Sequence, residues 1–321
     1  MKLTLRQLQQ VVVLAEHGHF GRAAEALHVS QPALSRGIQT LEDKLGTPLF
    51  TRSPAGAVLT ESGRILVERA RAILADCDDL ERRVDSRVTN ASQRLRVAAG
   101  HYPSELGVVD VVAAMMREDP RVSVSLQCLD WLRCIDLLAS RQVDVAVCEV
   151  GGLPDGAGLR FDMLGRHRVY FLVRTGHPLA AEQPVSLDAA LAFPWACSPM
   201  PARAMREFGS ARVAAGAVDA TRGIFMPAIH ATSQPLSLRL AAQSDAVAIA
   251  PLTVAEHWIE NGILVALAYG ADWFRLNYGF VWSERRPPVG AVARFKERLE
   301  QRERQVTERE SELRRRFGLA V

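Results

Sequence analysis

Three polar side chains suited to recognising a DNA base lie on one side of the segment 31–45. They are Ser35, Arg36 and Gln39, and the opposite side is formed by Leu34, Ile38, Leu41 and Leu45. The spacing of these leucines and isoleucine predicts an amphipathic helix. Arginine can form two bonds to guanine, glutamine can pair with adenine, and serine can bond a base or a phosphate. The segment therefore predicts a helix that can lie in the major groove of DNA.

A shorter helix precedes this segment and has small residues on the side where the two helices would pack. Ala23, Ala24 and Leu27 form that side, and a turn follows at residues 28–29. The side-chain oxygen of Ser30 can then cap the first free amides of the second helix. Two helices joined in this way form a helix-turn-helix. A further helix over 4–17, ended by a glycine, is predicted to cover both.

The segment LFTRSPAGAVLT, residues 49–60, contains two short apolar pieces around a turn. This pattern predicts a β-hairpin, which would form a wing beside the second helix. Arg52 stands at its base, where a cation can contact phosphates or enter the minor groove.

Thr60 is predicted to cap a long helix whose apolar positions alternate in steps of four and three. These positions are Leu66, Ala70, Ile73, Cys77, Leu80 and Val84. Such a heptad pattern is typical of a coiled coil and favours dimerisation through this helix. The alternative is an amphipathic helix that packs on its own domain. A dimer would place two DNA-binding units on a two-fold symmetric site.

The overall composition is that of an ordinary globular protein with several domains. The chain has 321 residues, of which 48% are hydrophobic and 23% charged, and its formal net charge is +3. Such a small net charge does not by itself indicate a nucleic-acid partner. We find no signal peptide and no apolar run long enough for a membrane span, so we expect a cytoplasmic protein without a membrane partner. The five cysteines have no paired spacing, which predicts free thiols, and we expect no metal and no cofactor.

After a polar hinge at 89–92 the pattern changes to alternating strands and helices, which predicts parallel sheets with crossover helices. Strands are predicted at 94–100, 122–129, 143–150, 168–174, 194–198, 246–251, 263–268 and 277–282. Helices are predicted at 104–118, 131–140, 186–192, 202–208, 236–243 and from 289 onward. Residues 209–232 have no clear pattern.

The N-terminal part resembles the winged helix-turn-helix and linker helix of LysR-type transcriptional regulators. The resemblance is carried by Ala23-Ala24, residues 28–35, Leu41-Glu42, Leu45-Gly46, Leu49-Phe50, Arg52, Leu59-Thr60 and Gly63. It continues more weakly over 93–300, where Gly176-His177-Pro178-Leu179 and the strand ending in Pro251 are similar to the effector-binding domain of the family. Gly37 lies within the second helix, where glycine should lower the stability of the helix by about 1 kcal/mol relative to alanine.

The resemblance implies an α/β fold with an N-terminal all-α winged helix-turn-helix and a C-terminal, two-lobed effector domain similar to a periplasmic binding protein (type 2). The expected divisions are a DNA-binding domain at 1–59, a linker helix and hinge at 60–92, and an effector domain at 93–300. Lobe one would comprise 93–162 and 269–300, and lobe two 163–268. A charged helical tail, 301–321, is expected to be solvated. An alternative for Arg314, Arg315 and Arg316 in this tail is an added interaction surface or DNA contact.

The resemblance also implies which residues contact double-stranded DNA, namely Gln31, Pro32, Ser35, Arg36 and Arg52. Pro32 can touch a thymine methyl group. For Ser35 and Gln39 the alternative is a solvated helix face; we favour contact for Ser35 and leave both interpretations open for Gln39.

A small-molecule effector is expected between the lobes, at turns that lead from strands into helices. The candidate residues are His101, Tyr102, Ser104, Trp131, Arg133, Ser198, Met200, Arg203 and Ser233. The three serines have the alternative role of plain helix caps, and Trp131 that of core packing. Trp131 as a cleft wall favours an apolar or aromatic ligand. Because His101, Arg133 and Arg203 can pair with a carboxylate, we expect an organic acid or an aromatic molecule.

The expected function is therefore promoter binding by a homodimer or homotetramer, modulated by the effector, with RNA polymerase as a further candidate partner. An α/β enzyme with an accessory DNA-binding module is the alternative. It lacks support from any nucleophile, phosphate-binding or metal motif. A solute-binding protein would fit only the second part of the chain.

Overall fold

The computed structural model describes residues 3–53, 56–89, 94–153, 158–181, 184–201, 207–208 and 213–319, with the backbone alone at 52–53, 78–79 and 81–89. The chain divides into two compact units. The first comprises residues 1–91 with 139–142, and the second comprises 92–138 with 143–321. Among the helices that the structure describes, none combines the length and apolar character that a membrane span requires.

The first unit begins with three helices, as the sequence predicts. They are α1 (Leu5–His17), α2 (Phe20–Ala26) and α3 (Gln31–Leu45). Helix α1 ends at Gly18, whose φ of 60° is a left-handed conformation that glycine adopts readily. Helix α3 starts at Ser30, whose side chain accepts a hydrogen bond from the amide of Ala33 at 3.4 Å. The apolar faces of the three helices enclose one core.

The predicted wing is present as the antiparallel strands β1 (Phe50–Ser53) and β2 (Gly56–Leu59). The amide of Ala57 donates to the carbonyl of Gly18 at 2.8 Å, which attaches β2 to the end of α1. A Cβ at Gly56 would lie 2.2 Å from that same carbonyl oxygen, so the wing can approach α1 only with glycine here.

The long helix α4 (Glu61–Thr89) follows the wing and is capped by Thr60 as predicted. The Thr60 hydroxyl accepts from the amide of Gly63 at 3.0 Å and donates to the carbonyl of Pro48 at 2.8 Å. A Cβ at Gly63 would lie 2.1 Å from the carbonyl oxygen of Leu49. The start of α4 is therefore fixed against the base of the wing.

The second unit contains two five-stranded sheets. We call each sheet, together with its helices, a lobe, and number them lobe one and lobe two. The sheet of lobe one has the strand order β4-β3-β5-β14-β6. Its strands are β3 (Arg94–Gly100), β4 (Ser123–Leu129), β5 (Val145–Glu149), β6 (Leu159–Arg168) and β14 (Arg275–Ser283). Its helices are α5 (His101–Pro103), α6 (Val109–Glu118) and α7 (Trp131–Ala139), with a π-helical turn at Ser104–Val108. Strand β5 is buried throughout, as expected for a central strand flanked by crossover helices.

The sheet of lobe two has the strand order β11-β8-β12-β7-β13. Its strands are β7 (Tyr170–Arg174), β8 (Trp195–Cys197), β11 (Ile229–His230), β12 (Val247–Ala250) and β13 (Leu264–Leu267). A separate hairpin pairs β9 (Gly216–Asp219) with β10 (Ile224–Pro227). Its helices are α8 (Leu187–Leu191), α9 (Gln234–Gln243) and α10 (Leu252–Glu260).

The expectation of parallel sheets is wrong for part of each sheet, because β14 pairs antiparallel with β5 and β6, and β7 pairs antiparallel with β12 and β13. The end of lobe one and the region 209–232 also differ from the sequence-based expectation. Strand β6 pairs with β14 as far as Arg168, six residues beyond the expected lobe boundary at 162. Among the described strands β6 lies at the edge of its sheet, and its alternation of exposed and buried residues is irregular. The region without a clear pattern contains the hairpin β9–β10 and the strand β11, all four residues long or shorter.

The last helix, α11 (Ala291–Arg316), is continuous across the expected boundary at residue 300. Its buried residues are Ala291, Phe295, Leu299, Glu303, Val306, Glu310 and Leu313. The expectation of a solvated tail at 301–321 is therefore wrong for this helix. Its apolar positions were too sparse to stand out among the charges, yet their spacing keeps them on one side of the helix.

Candidate functional site

The exposed side of α3 carries the polar residues that the sequence assigned to DNA contact. Leu34, Ile38 and Leu41 are buried at no more than 2% exposure. The exposed residues are Gln31, Pro32, Arg36 and Gln39, and Ser35 is half-buried. Gln39 donates through Nε2 to the carboxylate of Asp43 at 3.0 Å. This bond directs the Gln39 amide toward the next turn of α3.

Gly37 lies in the middle of α3, where the buried side chain of Gln10 from α1 crosses it. A Cβ at Gly37 would be 2.7 Å from Oε1 of Gln10, closer than real Cβ contacts. The glycine that looked costly for the helix thus permits α1 and α3 to pack closely.

The wing residue Arg52 pairs with Ala57 in the β1–β2 ladder, and its side chain lies outside the described residues. Sequence reasoning missed the residue that attaches the wing to α3. The carboxylate of Glu42 accepts hydrogen bonds from the amides of Leu49 at 2.6 Å and Phe50 at 3.1 Å. Because charge-assisted bonds of this kind are strong, Glu42 orients the wing relative to α3.

The apolar positions of α4 do not form one exposed stripe. Ala70 is completely buried within its own unit because α4 packs on α1 there. Contrary to the prediction, its side chain is therefore not available for contact with a second copy. Leu66 is also partly covered by this core. Ile73 and Leu80 are 43% and 64% exposed. Cys77 is half-buried, the side chain of Val84 lies outside the described residues, and Ile65, which the sequence did not single out, is also exposed.

A cleft lies between the two lobes of the second unit and has a cavity volume of about 60 Å³. Its lining is mainly apolar and aromatic. The lining residues are Gly100, His101, Tyr102, Pro103, Trp131, Glu149, Val169, Ser198, Pro199, Met200, Pro201, Ile249, Arg275 and Leu276. An apolar lining with a few polar and charged groups is typical of a small-molecule binding pocket.

Three predicted residues of lobe one form hydrogen bonds to lobe two across this cleft. Nδ1 of His101 lies 2.5 Å from the hydroxyl of Ser198. Tyr102 donates its hydroxyl to the carbonyl of Ile249 at 2.9 Å. Trp131 donates its indole N–H to the carbonyl of Pro199 at 3.1 Å. The cleft residues therefore also hold the lobes together.

Burial governs the ionisation of the groups in the cleft. It lowers the pKa of His101, with a smaller opposing effect from Asp130 and a further lowering by His230, so the neutral imidazole is favoured. Burial raises the pKa of Tyr102 well above its usual range, which keeps its hydroxyl available as a donor. Burial also raises the pKa of Cys197 to about 12, so this thiol is unreactive.

Three of the described effector candidates are not among the lining residues, and a fourth candidate lies outside the described residues. Ser104 is buried and donates to the carbonyl of Gly100 at 2.9 Å, because it begins the π-helical turn. Arg133 has a half-exposed side chain and pairs with Asp136 on its own helix. Ser233 occupies the N-cap position of α9 without a side-chain cap bond, and Arg203 lies outside the described residues.

Two charged residues of the lining were missed. Glu149 is the last residue of β5, and its carboxylate accepts from the amides of Gly151 at 2.8 Å and Asn277 at 3.2 Å. The rule that ligands bind at the carboxyl ends of strands would have found it. Arg275 begins β14, and its guanidinium donates to Asp272 at 2.9 Å. Because the chain enters β14 after passing through lobe two, no pattern in the neighbouring sequence indicates that Arg275 lies at the cleft.

We find no group of three or more metal-ligating side chains in the described part of the chain, and the five cysteines are free thiols. What the structure presents is thus an exposed polar face on α3 and an apolar cleft between two lobes.

Family comparisons agree with both features. Residues 5–64 match the model described as "Bacterial regulatory helix-turn-helix protein, lysR family". Residues 89–304 match the model described as "LysR substrate binding domain". Together these matches cover the helix-turn-helix, the wing and both lobes.

Relatives match over most of the chain. The "SDS degradation transcriptional activation protein" of Pseudomonas sp. (strain ATCC 19151) is 36% identical, and the match covers 86% of this chain and 89% of that protein. The regulator GbpR of Azospirillum brasilense is 26% identical, with 89% and 82% covered. The crystal structure of CbnR, a LysR family transcriptional regulator, has a TM-score of 0.61 at 21% identity, with 94% and 99% covered. The structure of CbnR complexed with target DNA has a TM-score of 0.60 at 21% identity, with 94% and 100% covered. At this identity the solved structures show the same fold.

Proposed function

The chain belongs to the LysR family of bacterial transcriptional regulators, and we propose that it binds a promoter through α3 and the wing in response to an apolar organic acid held between its lobes. It carries a DNA-binding helix-turn-helix and an effector-binding domain. The family and the relatives are transcriptional regulators, so the alternatives of an enzyme and a solute-binding protein are set aside.

The observation that carries the DNA proposal is the division of α3 into a buried apolar side and an exposed polar side. Gln31, Pro32 and Arg36 are exposed near the start of the helix, where recognition helices contact base edges. Ser35 is proposed to contact a base or phosphate beside them. Gln39 is proposed as a secondary contact because Asp43 holds its amide. Arg52 is proposed to contact phosphate or the minor groove from the wing.

The DNA proposal can be tested without knowing the natural operator. The wild-type protein is used to select its preferred sequence from random duplex DNA, and the selected site is then mapped by footprinting. A two-fold symmetric site protected by the full chain supports the proposal. Failure to enrich any sequence would contradict it.

We also propose a homodimer or homotetramer, in which α4 supplies one contact. Ile65, Ile73 and Leu80 are exposed on that helix. The second unit offers further exposed apolar pairs, namely Val109 with Met116 on α6 and Leu236 with Leu240 on α9. Exposed apolar residues on two different units fit an assembly that uses two different contacts, as a tetramer with D2 symmetry does. Light scattering after size-exclusion chromatography measures the number of copies.

The proposed effector has an apolar body and one acidic end. The support is a lining in which Trp131, Met200 and Ile249 supply apolar surface while Arg275 supplies a cation. The expected role of Arg133 as an acid-binding cation loses its support, since Arg133 does not belong to the lining. Arg203 lies outside the described residues, so its expected role stays a prediction. A relative named for the degradation of SDS, an alkyl sulfate, fits the same class of molecule.

Matched ligands test this effector class. Thermal shift is measured with benzoate and hexanoate and with the neutral benzyl alcohol and hexanol. A ligand at about 100 times its Kd stabilises the protein by about 2.7 kcal/mol. We expect shifts with the acids only, and we expect Arg275→Gln to remove them while Arg133→Gln, a substitution outside the cleft, retains them. Equal shifts with acids and alcohols would contradict the acidic class.

Effector binding is proposed to act through the relative rotation of the two lobes. An effector changes an equilibrium only by its difference in affinity for the two states. The three interlobe hydrogen bonds of His101, Tyr102 and Trp131 are contacts whose geometry such a rotation would change. The lobe rotation is proposed to change the position of the DNA-binding units on the DNA. RNA polymerase is the proposed downstream partner.

A further inference from the structure

Helix α11 contacts both lobes of the second unit, although none of its described residues lines the cleft. Its first half contributes Phe295 and Leu299 to the main core. Its second half contributes Leu313 to a different core, formed by the helices and strands of lobe two. One rigid helix therefore joins the two bodies whose relative rotation is proposed to matter.

The contact with lobe one centres on the buried carboxylate of Glu303. Tyr278 on β14 donates its hydroxyl to this carboxylate. The imidazole of His167 on β6 lies 2.9 Å from its other oxygen. A Cβ at Gly165 would be 2.2 Å from Oε1 of Glu303, so β6 leaves room for this side chain only with glycine. The exposed flank adds ion pairs from Arg302 to Asp110 at 2.7 Å and from Arg298 to Glu118.

The contact with lobe two centres on the buried carboxylate of Glu310. It accepts hydrogen bonds from the backbone amide of Thr253 at 2.8 Å and from the Thr253 hydroxyl at 2.7 Å. Thr253 lies in the first turn of α10, whose N-cap is Pro251 and makes no side-chain cap bond. Glu310 therefore caps α10 from another helix, and its negative charge is favourable at that helix N-terminus.

Two further ion pairs join α11 to α10. Arg309 pairs with Glu256, and Arg316 pairs with Glu260. The two glutamates on α10 are four residues apart, about one turn, and the two arginines on α11 are seven apart, about two turns, so each set lies on one side of its helix. The arrangement on lobe two thus mirrors the one on lobe one, with a buried glutamate and two flanking ion pairs in each case.

The contact with lobe two lies mainly beyond the segment shared with the family. The substrate-binding family model ends at residue 304, whereas Arg309, Glu310, Leu313 and Arg316 all follow it. The family match accounts for the contact with lobe one and not for these residues.

We infer that residues 305–316 of α11 form a strap that limits the rotation of lobe two relative to lobe one. A helix bonded at both halves resists bending, because bending would break its own hydrogen bonds or one of the two glutamate contacts. Lobe rotation in this chain is therefore confined to movements that leave α11 docked on both lobes. This inference does not depend on the effector class, since it concerns the protein without a ligand.

The test measures the interlobe distance in the full chain by electron–electron resonance between two spin labels. The labels are placed at Ser123→Cys in lobe one and Asp188→Cys in lobe two, both exposed positions. The half-buried Cys77 and the exposed Cys128 are replaced by serine. Labelled protein is diluted with unlabelled protein so that pairs between copies contribute little.

Glu310→Ala should broaden the distance distribution about twofold, because lobe two then gains a range of orientations. Glu310→Gln should restore a width near that of the wild type, since an amide oxygen can accept the same two bonds. Glu308→Ala is the matched control, because Glu308 is exposed on the same helix. It should leave the distribution unchanged.

Amide hydrogen exchange in β7 and β12 establishes whether lobe two is folded in each variant. A wild-type width in folded Glu310→Ala would overturn the inference. If that variant loses amide protection in both strands, Thr253→Val takes its place, because it removes only the hydroxyl bond. An unchanged width in Thr253→Val would then overturn the inference, and a broader one would support it.

Discussion

Nδ1 of His101 lies 2.5 Å from the hydroxyl of Ser198, and this contact joins lobe one to lobe two beside the cleft. His101 is only 4% exposed, and its burial favours the neutral imidazole. The stability of the second unit should therefore depend on pH through this residue.

The pKa of His101 is lowered from 6.5 in the folded protein, so the unfolded chain binds more protons over the interval below pH 6.5. Stability is then full above that pH and is lost as the pH falls toward the lower folded pKa. We expect the thermal midpoint of the wild type to fall more steeply from about pH 8 to about pH 5 than that of His101→Gln. The measurement is thermal unfolding followed by circular dichroism. Parallel curves for the two proteins would contradict the prediction.

Arg36→Ala should weaken specific DNA binding without unfolding the protein, because Arg36 is exposed on α3. Loss of a bidentate arginine contact costs about 1–3 kcal/mol, or roughly 5- to 150-fold in affinity. The measurement is a gel shift with the selected site and with scrambled DNA. The matched control is Lys44→Ala, an exposed cation in the last turn of the same helix. Unchanged affinity in Arg36→Ala would refute the assignment.

Gly37→Ala should destabilise the first unit, even though alanine favours helix by about 1 kcal/mol. The reason is the distance of 2.7 Å between the added Cβ and Oε1 of Gln10. In a Gln10→Ser background the same substitution should be neutral or stabilising, because the crossing side chain is shorter. Urea unfolding of the four proteins gives the coupling free energy between the two sites. Additive effects would show that Gln10 is not the cause.

Ile73→Lys should reduce the number of copies in the assembly if α4 supplies a contact, since Ile73 is 43% exposed in the single chain. A buried lysine charge at such a contact would lack a partner. Light scattering measures the change in mass. Val58→Lys, which alters an exposed residue of the wing, is the control. The same mass for both variants and the wild type would argue against α4 as the contact.

The N-terminal helices were predictable because their signals are local. The buried stripe of α3, the Ser30 cap and the Gly18 and Gly46 ends all involve residues within one or two helical turns of one another. Glu42 was missed because its partners, the amides of Leu49 and Phe50, follow a turn whose direction the sequence pattern does not specify.

The cleft was predictable only in part, and the two arginines show why. Arg133 follows a strand-to-helix turn, which made it a candidate, but the helix directs its half-exposed side chain toward Asp136. Arg275 begins a strand that returns from the other lobe, and the antiparallel pairing of β14 with β5 brings this strand to the cleft. Such a placement depends on contacts between residues far apart in the chain.

By itself, the sequence determined the helix-turn-helix, the wing and the long α4, because periodicity and capping act over a few residues. The two-lobed α/β class was implied by the family resemblance. The tertiary structure decided which side chains share the cleft, that Ala70 faces its own core, and that α11 bonds both lobes. Those outcomes depend on which distant surfaces pack together. The buried Glu310 and the half-buried Thr253 are an example, since nothing in the sequence near either residue indicates a partner 57 residues away.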